Sequence, residues 1–273
     1  MAMKSEPSLA ILIPVFNDAE GLRKSLDSLL VAPCPAPLMT LVVDDGSEPA
    51  LALDHGPYLS LGLRVLRLPA NEGIAVALNR GLKEAMQHGI RYLARLDAGD
   101  TITPDRLTRQ MALLDENPDL GVVGSDARYV DASGKLLFVF RSATDDRTIR
   151  SRMHVNCCLV HPSVMIRMAI LEQVGPYSVD YPAAEDYELF FRILAVAKAQ
   201  CIAAPLVTTV VSGSGISSRR RHAQLLSRLR IQCRNFCWTR IQAYLGVAIT
   251  LSLLVVPAAL VNALKRHCKV SHY

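Results

Sequence analysis

Short apolar runs alternate with amphipathic stretches along the N-terminal part of the chain. Apolar residues recur at helical spacing after Asn17 and Asp18, again over about 74–87, and after Pro104. Four apolar runs have the length and composition of buried strands, at residues 9–16, 39–43, 63–68 and 90–96. Because strand and helix alternate, the pattern predicts an α/β fold of βαβ units around a mostly parallel central sheet with flanking helices.

The pattern becomes less regular after residue 120. Shorter strands are predicted at 121–125 and 158–166, and a helix at 186–197. Residues 243–264 contain no charged side chain, and a stretch of this length reaches the roughly 20 residues that cross a bilayer. Pro257 near its middle would kink a helix. Three interpretations remain open: a single crossing, a re-entrant or interfacial hairpin, and a buried helix of the globular body.

Acidic and basic residues are distributed unevenly along the chain, and the change occurs toward its C-terminal end. The first 188 residues hold all 25 Asp and Glu and 18 of the 30 Lys and Arg, whereas the remainder holds twelve basic residues and no acidic one. This asymmetry predicts an acidic body at 1–218 and a basic, apolar helical segment at 219–273 that meets an anionic partner. Because aromatic residues make up only 5% of the chain, a membrane surface is favoured over nucleic acid.

The cysteines bear on the cellular compartment. Seven cysteines are scattered without paired metal spacing, which argues against a disulfide framework and for a reducing, cytosolic setting. Together with the basic segment, this predicts a protein at the cytoplasmic face of the cell membrane, held there peripherally, by a re-entrant segment or by a single pass.

Polar side chains follow each of the four predicted strands. They are Asn17-Asp18, Asp44-Asp45-Gly46-Ser47, Asn71-Glu72-Gly73 and Asp97-Ala98-Gly99-Asp100. Ligands of open α/β sheets bind at the carboxyl ends of the strands, so we expect these groups to converge in one crevice. Carboxylates suit hydrogen bonds to a base or ribose and suit a hard divalent cation. An ordinary Asp-Gly turn is the alternative for Asp44 and Asp45.

The order and spacing of these motifs resemble family 2 glycosyltransferases over about residues 8–218. The matching segments are IPVFND at 13–18, VVDDGS at 42–47, NEG at 71–73 with Asn79, RLDAGD at 95–100, HPSVM at 161–165, VGPY at 174–177 and AEDYEL at 184–189. The resemblance implies a Rossmann-like GT-A fold. It also implies transfer of a sugar from a nucleoside-diphosphate sugar with inversion at the anomeric carbon.

The resemblance also implies roles for individual residues. Those of the donor site are Pro14, Phe16 and Asp45 around the nucleobase with Asp44 in the same motif, Asp18 or Glu20 nearby, Asn71, Gly73 and Asn79 bordering the donor, and Asp97 in the carboxylate motif that holds ribose and a divalent metal. Asp186 is implied as the base, and its neighbour Glu185 as a residue that holds the loop or contacts the acceptor.

Elementary chemistry agrees with a base at Asp186. An inverting displacement needs a carboxylate on the acceptor side to take the proton of the attacking hydroxyl. Asp186 starts a predicted helix, where the helix dipole favours the ionised carboxylate. The alternative for Asp186 is a helix N-cap.

The chain departs from the family pattern at two places. The third position of the metal motif, where the family usually has a carboxylate, is Gly99, so Asp100 is the candidate second ligand beside Asp97. The family often carries Arg and His in the loop where this chain has Ser212-Gly213-Ser214-Gly215-Ile216-Ser217. Phosphate contacts there would come from backbone groups, hydroxyls or Arg219–Arg221.

The sequence therefore predicts an inverting glycosyltransferase that uses Mg²⁺ or Mn²⁺ and a nucleoside-diphosphate sugar, with a UDP-sugar as the expected donor. The expected acceptor is a lipid-linked saccharide of a bacterial cell-envelope polysaccharide, such as O-antigen, capsule or exopolysaccharide. A polyprenyl-phosphate glycosyltransferase is one alternative. A catalytically silent nucleotide-sugar binding module, suggested by Gly99, is the other.

Overall fold

The computed structural model describes residues 8–211 and 221–256. Its strands are β1 Leu9–Val15, β2 Leu38–Asp44, β3 Leu63–Arg67, β4 Tyr92–Arg95, β5 Thr101–Ile102, β6 Leu120–Val130, β7 Leu136–Phe140, β8 Met165–Arg167 and β9 Lys198–Val210. Its α-helices are α1 Ala19–Leu30, α2 Ile74–Met86, α3 Arg106–Glu116, α4 Asp146–Met153, α5 Met168–Val174, α6 Glu185–Val196, α7 Arg221–Arg234 and α8 Ile241–Val255. Short 3₁₀ helices lie at Gly56–Leu61 and His161–Ser163.

One curled sheet has the order β3-β2-β1-β4-β8-β6-β9-β5, with β7 added to β6. Strands β1 to β4 are parallel, as the sequence predicted. In the second half β8 runs antiparallel to both of its neighbours, β6 and β9 are parallel, and β5 and β7 are antiparallel edge strands. The sheet is therefore parallel on one side and mixed on the other.

The strand predicted at 158–166 is wrong for most of its length. A 3₁₀ turn with Pro162 occupies 161–163, and only Met165–Arg167 joins the sheet. Proline has no backbone N–H to donate to a neighbouring strand, which is why the apolar composition of this segment was misleading.

The sheet is buried on both faces because helices cover each of them. Side chains of β1 alternate between two apolar clusters: Ala10 and Leu12 pack with α2 and α6, whereas Ile11 and Ile13 pack with α1 and α3. Strands buried on both faces read as continuous apolar runs, which explains the pattern of β1, β2 and β4.

Helix α7 packs on the body of the protein and α8 packs on α7. Ile231 of α7 is fully buried in the larger apolar cluster. Ala243, Gly246 and Thr250 form the buried side of α8, and the Thr250 hydroxyl donates to Oε1 of Gln232 at 2.8 Å. A Cβ at Gly246 would lie 2.0 Å from the His154 carbonyl oxygen, so only glycine permits this approach.

Within 8–211 and 221–256, none of the helices combines the length and apolarity needed to cross a bilayer. The apolar stretch expected at 243–264 is described only as far as Val256. Residues 257–264, the predicted boundary between 218 and 219, and the loop at 212–217 lie outside the described residues.

Candidate functional site

A cavity of about 710 Å³ opens at the carboxyl ends of β1, β2 and β4. Nine of the residues predicted from the sequence line it: Pro14, Phe16, Asp18, Asp45, Asn71, Gly73, Asp97, Asp100 and Glu185. The opposite wall comes from the loop between α5 and α6, through Ser178, Val179, Tyr181, Pro182 and Ala183, and from Thr209 and Val210 at the end of β9. The expected convergence of strand-end groups is therefore observed.

One half of the cavity is organised around Asp45. Its carboxylate accepts hydrogen bonds from the backbone N–H of Glu72 at 2.8 Å and of Gly73 at 3.0 Å, which joins the end of β2 to the start of α2. Gly46 permits this junction because its φ is +71° and a Cβ there would lie 2.3 Å from the backbone of Ala70. Phe16 is exposed at the same side of the cavity, where an aromatic ring can stack on a base.

Asp97 is held by an arginine that is itself fully buried. The Arg95 guanidinium donates from Nη2 to Oδ1 of Asp97, and from Nη1 to the Leu12 carbonyl at 2.6 Å. Its Nε donates to Nε2 of His161 at 3.3 Å. Because a buried charge is costly without a partner, Arg95 and the half-exposed Asp97 stabilise each other, and the guanidinium fixes where the carboxylate points.

The turn that follows is fixed by α1. The Ser25 hydroxyl donates to the backbone oxygen of Asp100 at 2.7 Å and accepts from the N–H of Gly99 at 3.0 Å. Gly99 has a φ of +93°, in the region that favours glycine. This conformation accounts for a glycine where the family pattern has a carboxylate.

Asp100 is buried and close to Asp97. Its Oδ2 accepts a hydrogen bond from the Thr209 hydroxyl at 3.0 Å. Burial, followed by the negative charge of Asp97, raises the pKa of Asp100 to about 8. A buried carboxyl group beside a second carboxylate is a suitable place for a cation, which would stabilise the negative charge there.

The described residues contain no group of three or more His, Cys, Asp or Glu side chains placed to hold a metal ion. Asp97 and Asp100 offer two hard oxygen ligands. Mg²⁺ in nucleotide sites is commonly held by one or two carboxylates, with substrate phosphates and water completing its shell, and Mn²⁺ prefers the same ligand types. The residues present therefore fit a divalent cation that is bound jointly with a diphosphate.

Glu185 and Asp186 occupy the first turn of α6. The N-cap position is Ala184, so the alternative that Asp186 is the N-cap is wrong. Burial raises the pKa of Asp186 to about 6, with a smaller contribution from the negative charge of Asp97, while a 2.7 Å hydrogen bond from the Tyr187 N–H opposes this. Burial and the charge of Asp186 raise the pKa of Glu185 to about 7. Carboxyl groups with pKa values near neutrality suit proton transfer.

Three of the predicted donor residues, Asp44, Glu20 and Asn79, lie away from the cavity wall. Asp44 is buried, accepts from the Ser47 N–H at 2.9 Å and pairs with Arg67 at 3.0 Å, so it supports the turn of β2. Glu20 is exposed on α1, where it pairs with Lys24. The predicted donor roles of Asp44 and Glu20 are therefore wrong for the same reason: each carboxylate forms an ion pair with a basic side chain outside the cavity, Asp44 with Arg67 and Glu20 with Lys24.

Asn79 acts through the loop that forms the opposite wall. Its side chain donates from Nδ2 to the Tyr177 carbonyl and accepts at Oδ1 from the Tyr177 N–H, both at 2.8 Å. It therefore anchors the start of the 178–183 loop to α2 instead of lining the cavity itself.

Sequence reasoning missed Arg95, Thr209 and the 178–183 loop as parts of the site. Arg95 had a visible signal, because it is a charged residue within an otherwise apolar strand. Thr209 had none, since its position beside Asp100 depends on the pairing of β5 with β9.

Comparison with known proteins gives a consistent result. Residues 10–175 match the family model described as glycosyl transferase family 2. An uncharacterized glycosyltransferase of Rickettsia bellii is 28% identical over 201 residues, which cover 70% of this chain but only 28% of that protein. The amylovoran biosynthesis glycosyltransferase AmsE of Erwinia amylovora is 26% identical over 215 residues, which cover 78% of this chain and 79% of AmsE.

Solved structures share the fold at low sequence identity. S. aureus TarS in complex with UDP-GlcNAc superposes with a TM-score of 0.67 at 18% identity, covering 89% of this chain and 71% of that one. The mannosyltransferase PcManGT of Pyrobaculum calidifontis, in complex with GDP-Man and Mn²⁺, gives 0.60 at 16% identity, covering 97% and 76%. These similarities confirm the predicted GT-A fold. On the family match and this fold, the chain belongs to glycosyl transferase family 2 and is a glycosyltransferase.

Proposed function

We propose that the protein transfers a sugar, with inversion, from a nucleoside-diphosphate sugar to a hydroxyl group of a saccharide acceptor. The observation that carries this proposal is the convergence of Asp45, Asp97, Asp100 and Glu185 on one cavity, with Asp186 next to Glu185. TarS binds UDP-GlcNAc and PcManGT binds GDP-Man on the same fold, which supports a nucleotide-sugar donor.

The donor's nucleoside would lie at the ends of β1 and β2. Phe16 offers an exposed ring for the base, and Asp45 and Asn71 offer polar groups to its edge or to the ribose. We expect a UDP-sugar, as in the TarS complex, although GDP-Man in PcManGT makes a guanosine donor the alternative.

Asp97 and Asp100 would hold Mg²⁺ or Mn²⁺. When bound, such a cation offsets the negative charge that develops on the leaving diphosphate. The contribution of the chain itself is orientation: Arg95 fixes the Asp97 carboxylate, Ser25 fixes the turn between them, and Thr209 binds Oδ2 of Asp100.

Asp186 would accept the proton of the acceptor hydroxyl as that oxygen forms its bond to the anomeric carbon and the bond to the diphosphate oxygen breaks. Its pKa of about 6 leaves it mostly ionised at neutral pH while keeping it basic enough to take a proton. Glu185, with a pKa near 7, lines the cavity and can hydrogen-bond to the acceptor in either protonation state.

The acceptor we favour is a lipid-linked saccharide of a cell-envelope polysaccharide. AmsE, named for amylovoran biosynthesis, supports a role of this kind.

A panel of nucleotide sugars screened by thermal shift with and without Mg²⁺ or Mn²⁺ tests the donor, and absence of any metal-dependent shift would contradict the proposal. Radiolabelled donor incubated with polyprenyl phosphate alone should give no transfer. Transfer there would identify a polyprenyl-phosphate glycosyltransferase, and donor binding without transfer or hydrolysis would identify a silent binding module.

We further propose that the protein acts at the cytoplasmic face of the membrane. The side of α8 that faces away from α7 carries exposed apolar side chains, namely Ile241, Tyr244, Leu245, Ile249, Leu251 and Val255, and Trp238 just before the helix is 78% exposed. The twelve basic residues after residue 188, with no acidic residue to offset them, add attraction to anionic lipid. An apolar helix face beside basic residues is typical of helices that lie in the membrane interface.

Replacing both Leu245 and Ile249 by Asp is expected to lower binding to vesicles of phosphatidylcholine and phosphatidylglycerol by roughly tenfold or more, because two apolar side chains would no longer enter the bilayer. Co-sedimentation measures this. The matched control is Leu59→Asp, which changes a 78% exposed leucine on the Gly56–Leu61 turn and should bind like the unchanged protein. Equal sedimentation of the double variant and the control would contradict membrane docking through α8.

A further inference from the structure

The Arg95 guanidinium that holds Asp97 is itself surrounded by buried acceptors. Its Nη1 donates to the backbone oxygens of Leu12 at 2.6 Å and Leu96 at 3.1 Å. Its Nη2 donates to Asp97, and its Nε donates to Nε2 of His161 at 3.3 Å. Because a guanidinium is rigid and planar, the acceptors around Nη1 and Nε fix the direction in which Nη2 points. Of these four acceptors, His161 is the one that a substitution can remove without altering Asp97 itself.

The protonation state of the His161 ring follows from its neighbours. A guanidinium can only donate, so Nε2 of His161 must carry a lone pair. Burial and the positive charge of Arg95 hold the pKa of His161 well below its usual range, which keeps the ring neutral. The Tyr177 hydroxyl lies 2.9 Å from the same nitrogen and is therefore its second donor. The ring thus accepts from Arg95 on one side and from the residue just before the 178–183 loop on the other.

Packing fixes the orientation of this ring. The rings of Tyr177 and Phe190 meet His161 edge to face, with centroids 5.5 Å and 6.0 Å away, and all three residues are buried. Phe190 belongs to α6, the helix that carries Asp186 in its first turn. A rotation that turned Nε2 away from Arg95 would disturb this packing, so the acceptor stays at the guanidinium.

We propose that His161 is a positioning residue of the donor site: by accepting from Arg95, it fixes the guanidinium that points the Asp97 carboxylate at the cation and diphosphate of the donor. It has this role only if Asp97 binds a divalent cation together with the donor, so the role rests on the proposed function. A histidine that only filled the core would contribute packing alone, whereas a positioning residue also needs its acceptor nitrogen. A substitution that keeps the volume and removes the acceptor separates the two roles.

His161→Leu is that substitution, since leucine has nearly the volume of histidine and offers no acceptor to Arg95. His161→Gln is the conservative variant, because its amide oxygen can reach the position of Nε2. Tyr92→Phe is the matched control: Tyr92 is buried at the other end of β4, where its hydroxyl donates to Asp115 at 2.6 Å. UDP and GDP are titrated calorimetrically into the full chain of each protein, once with Mn²⁺ and once with EDTA.

With Mn²⁺, His161→Leu is expected to weaken nucleotide binding by at least about threefold, because residues that support a metal ligand are worth about tenfold and His161 acts one hydrogen bond further away. With EDTA, binding should be unchanged, since the proposed nucleoside contacts at Phe16 and Asp45 do not involve Asp97. His161→Gln and Tyr92→Phe should both bind like the unchanged protein. In an Asp97→Asn background, adding His161→Leu should cost less than about twofold more, because both substitutions act through one carboxylate.

Four results would overturn this role: no loss in His161→Leu, equal losses with Mn²⁺ and with EDTA, a loss in His161→Gln as large as in His161→Leu, or a full further loss in the Asp97→Asn background. If His161→Leu does not fold, His161→Asn takes its place, because its shorter side chain cannot bring an acceptor to the position of Nε2. Failure of both to fold, with His161→Gln folded, would overturn the role in favour of stability alone. Failure of UDP and GDP to bind the unchanged protein is a separate outcome, and it would contradict the proposed function.

Discussion

Replacing Asp186 by Asn is expected to reduce turnover by on the order of 10² or more, because the variant loses the group that takes the proton of the acceptor hydroxyl. The side chain keeps its size and can still accept the hydrogen bond from the Tyr187 N–H. Donor binding, measured by thermal shift or calorimetry, should therefore stay near that of the unchanged protein. Steady-state rates with saturating donor provide the measurement.

The pH dependence of turnover gives an independent check on Asp186. A base is active when ionised, so turnover should fall as the pH drops through about 6, the pKa to which burial raises this carboxyl group. In Asp186→Asn the remaining activity should lose that fall. Glu185→Gln is the matched control, because it removes the neighbouring carboxylate and should retain the fall near pH 6. If Glu185→Gln abolishes turnover and Asp186→Asn does not, the two roles are reversed.

Replacing Asp97 by Asn is expected to weaken metal-dependent donor binding by at least roughly tenfold, since even residues that support a metal ligand cost that much in affinity. Asn is preferable to Ala here because its amide oxygen can still accept from Arg95. Removing the carboxylate that pairs with a buried charge costs about 3–5 kcal/mol, so the Asp97→Ala variant would not separate a loss of folding from a loss of binding.

Titrations of UDP-sugar with and without EDTA measure the effect at Asp97. Asp119→Asn is the matched control: it removes a surface carboxylate that pairs with Lys198 far from the cavity, and it should leave donor binding unchanged. Equal losses of donor binding in Asp97→Asn and Asp186→Asn would contradict the division between donor site and base.

The strand-end motifs were predictable because they depend on local order. A strand, a polar turn and a helix recur along the first hundred residues, and the ends of parallel strands meet by geometry. Within these motifs, sequence order did not reveal which carboxylate faces the ligand. Asp44 and Asp45 are adjacent, but Asp44 ends β2 and turns toward Arg67 of β3, while Asp45 reaches the N–H groups of the next loop.

The second half of the site was less predictable because it depends on long-range pairing. Thr209 of β9 reaches Asp100 only because β9 pairs with β5, which lies about 100 residues earlier in the chain. No local pattern of apolar residues encodes those neighbours. The C-terminal segment is a similar case: its lack of charge was visible, but the small residues that seat α8 on α7, such as Gly246, have meaning only when the facing helix is known.

The contacts made by α7 bear on how a shortened protein should be prepared. Ser227 donates to the Pro182 carbonyl at 3.1 Å and Arg234 to the Tyr181 hydroxyl at 3.2 Å, so α7 holds the loop that forms the opposite wall of the cavity. Cutting the chain at 218 to gain solubility would remove both bonds and uncover the apolar surface beneath Ile231. Ending the chain after residue 238 is the better choice for crystallisation. This removes α8, with its exposed apolar side, and the residues that follow it, but it keeps the two hydrogen bonds from α7 to the 178–183 loop.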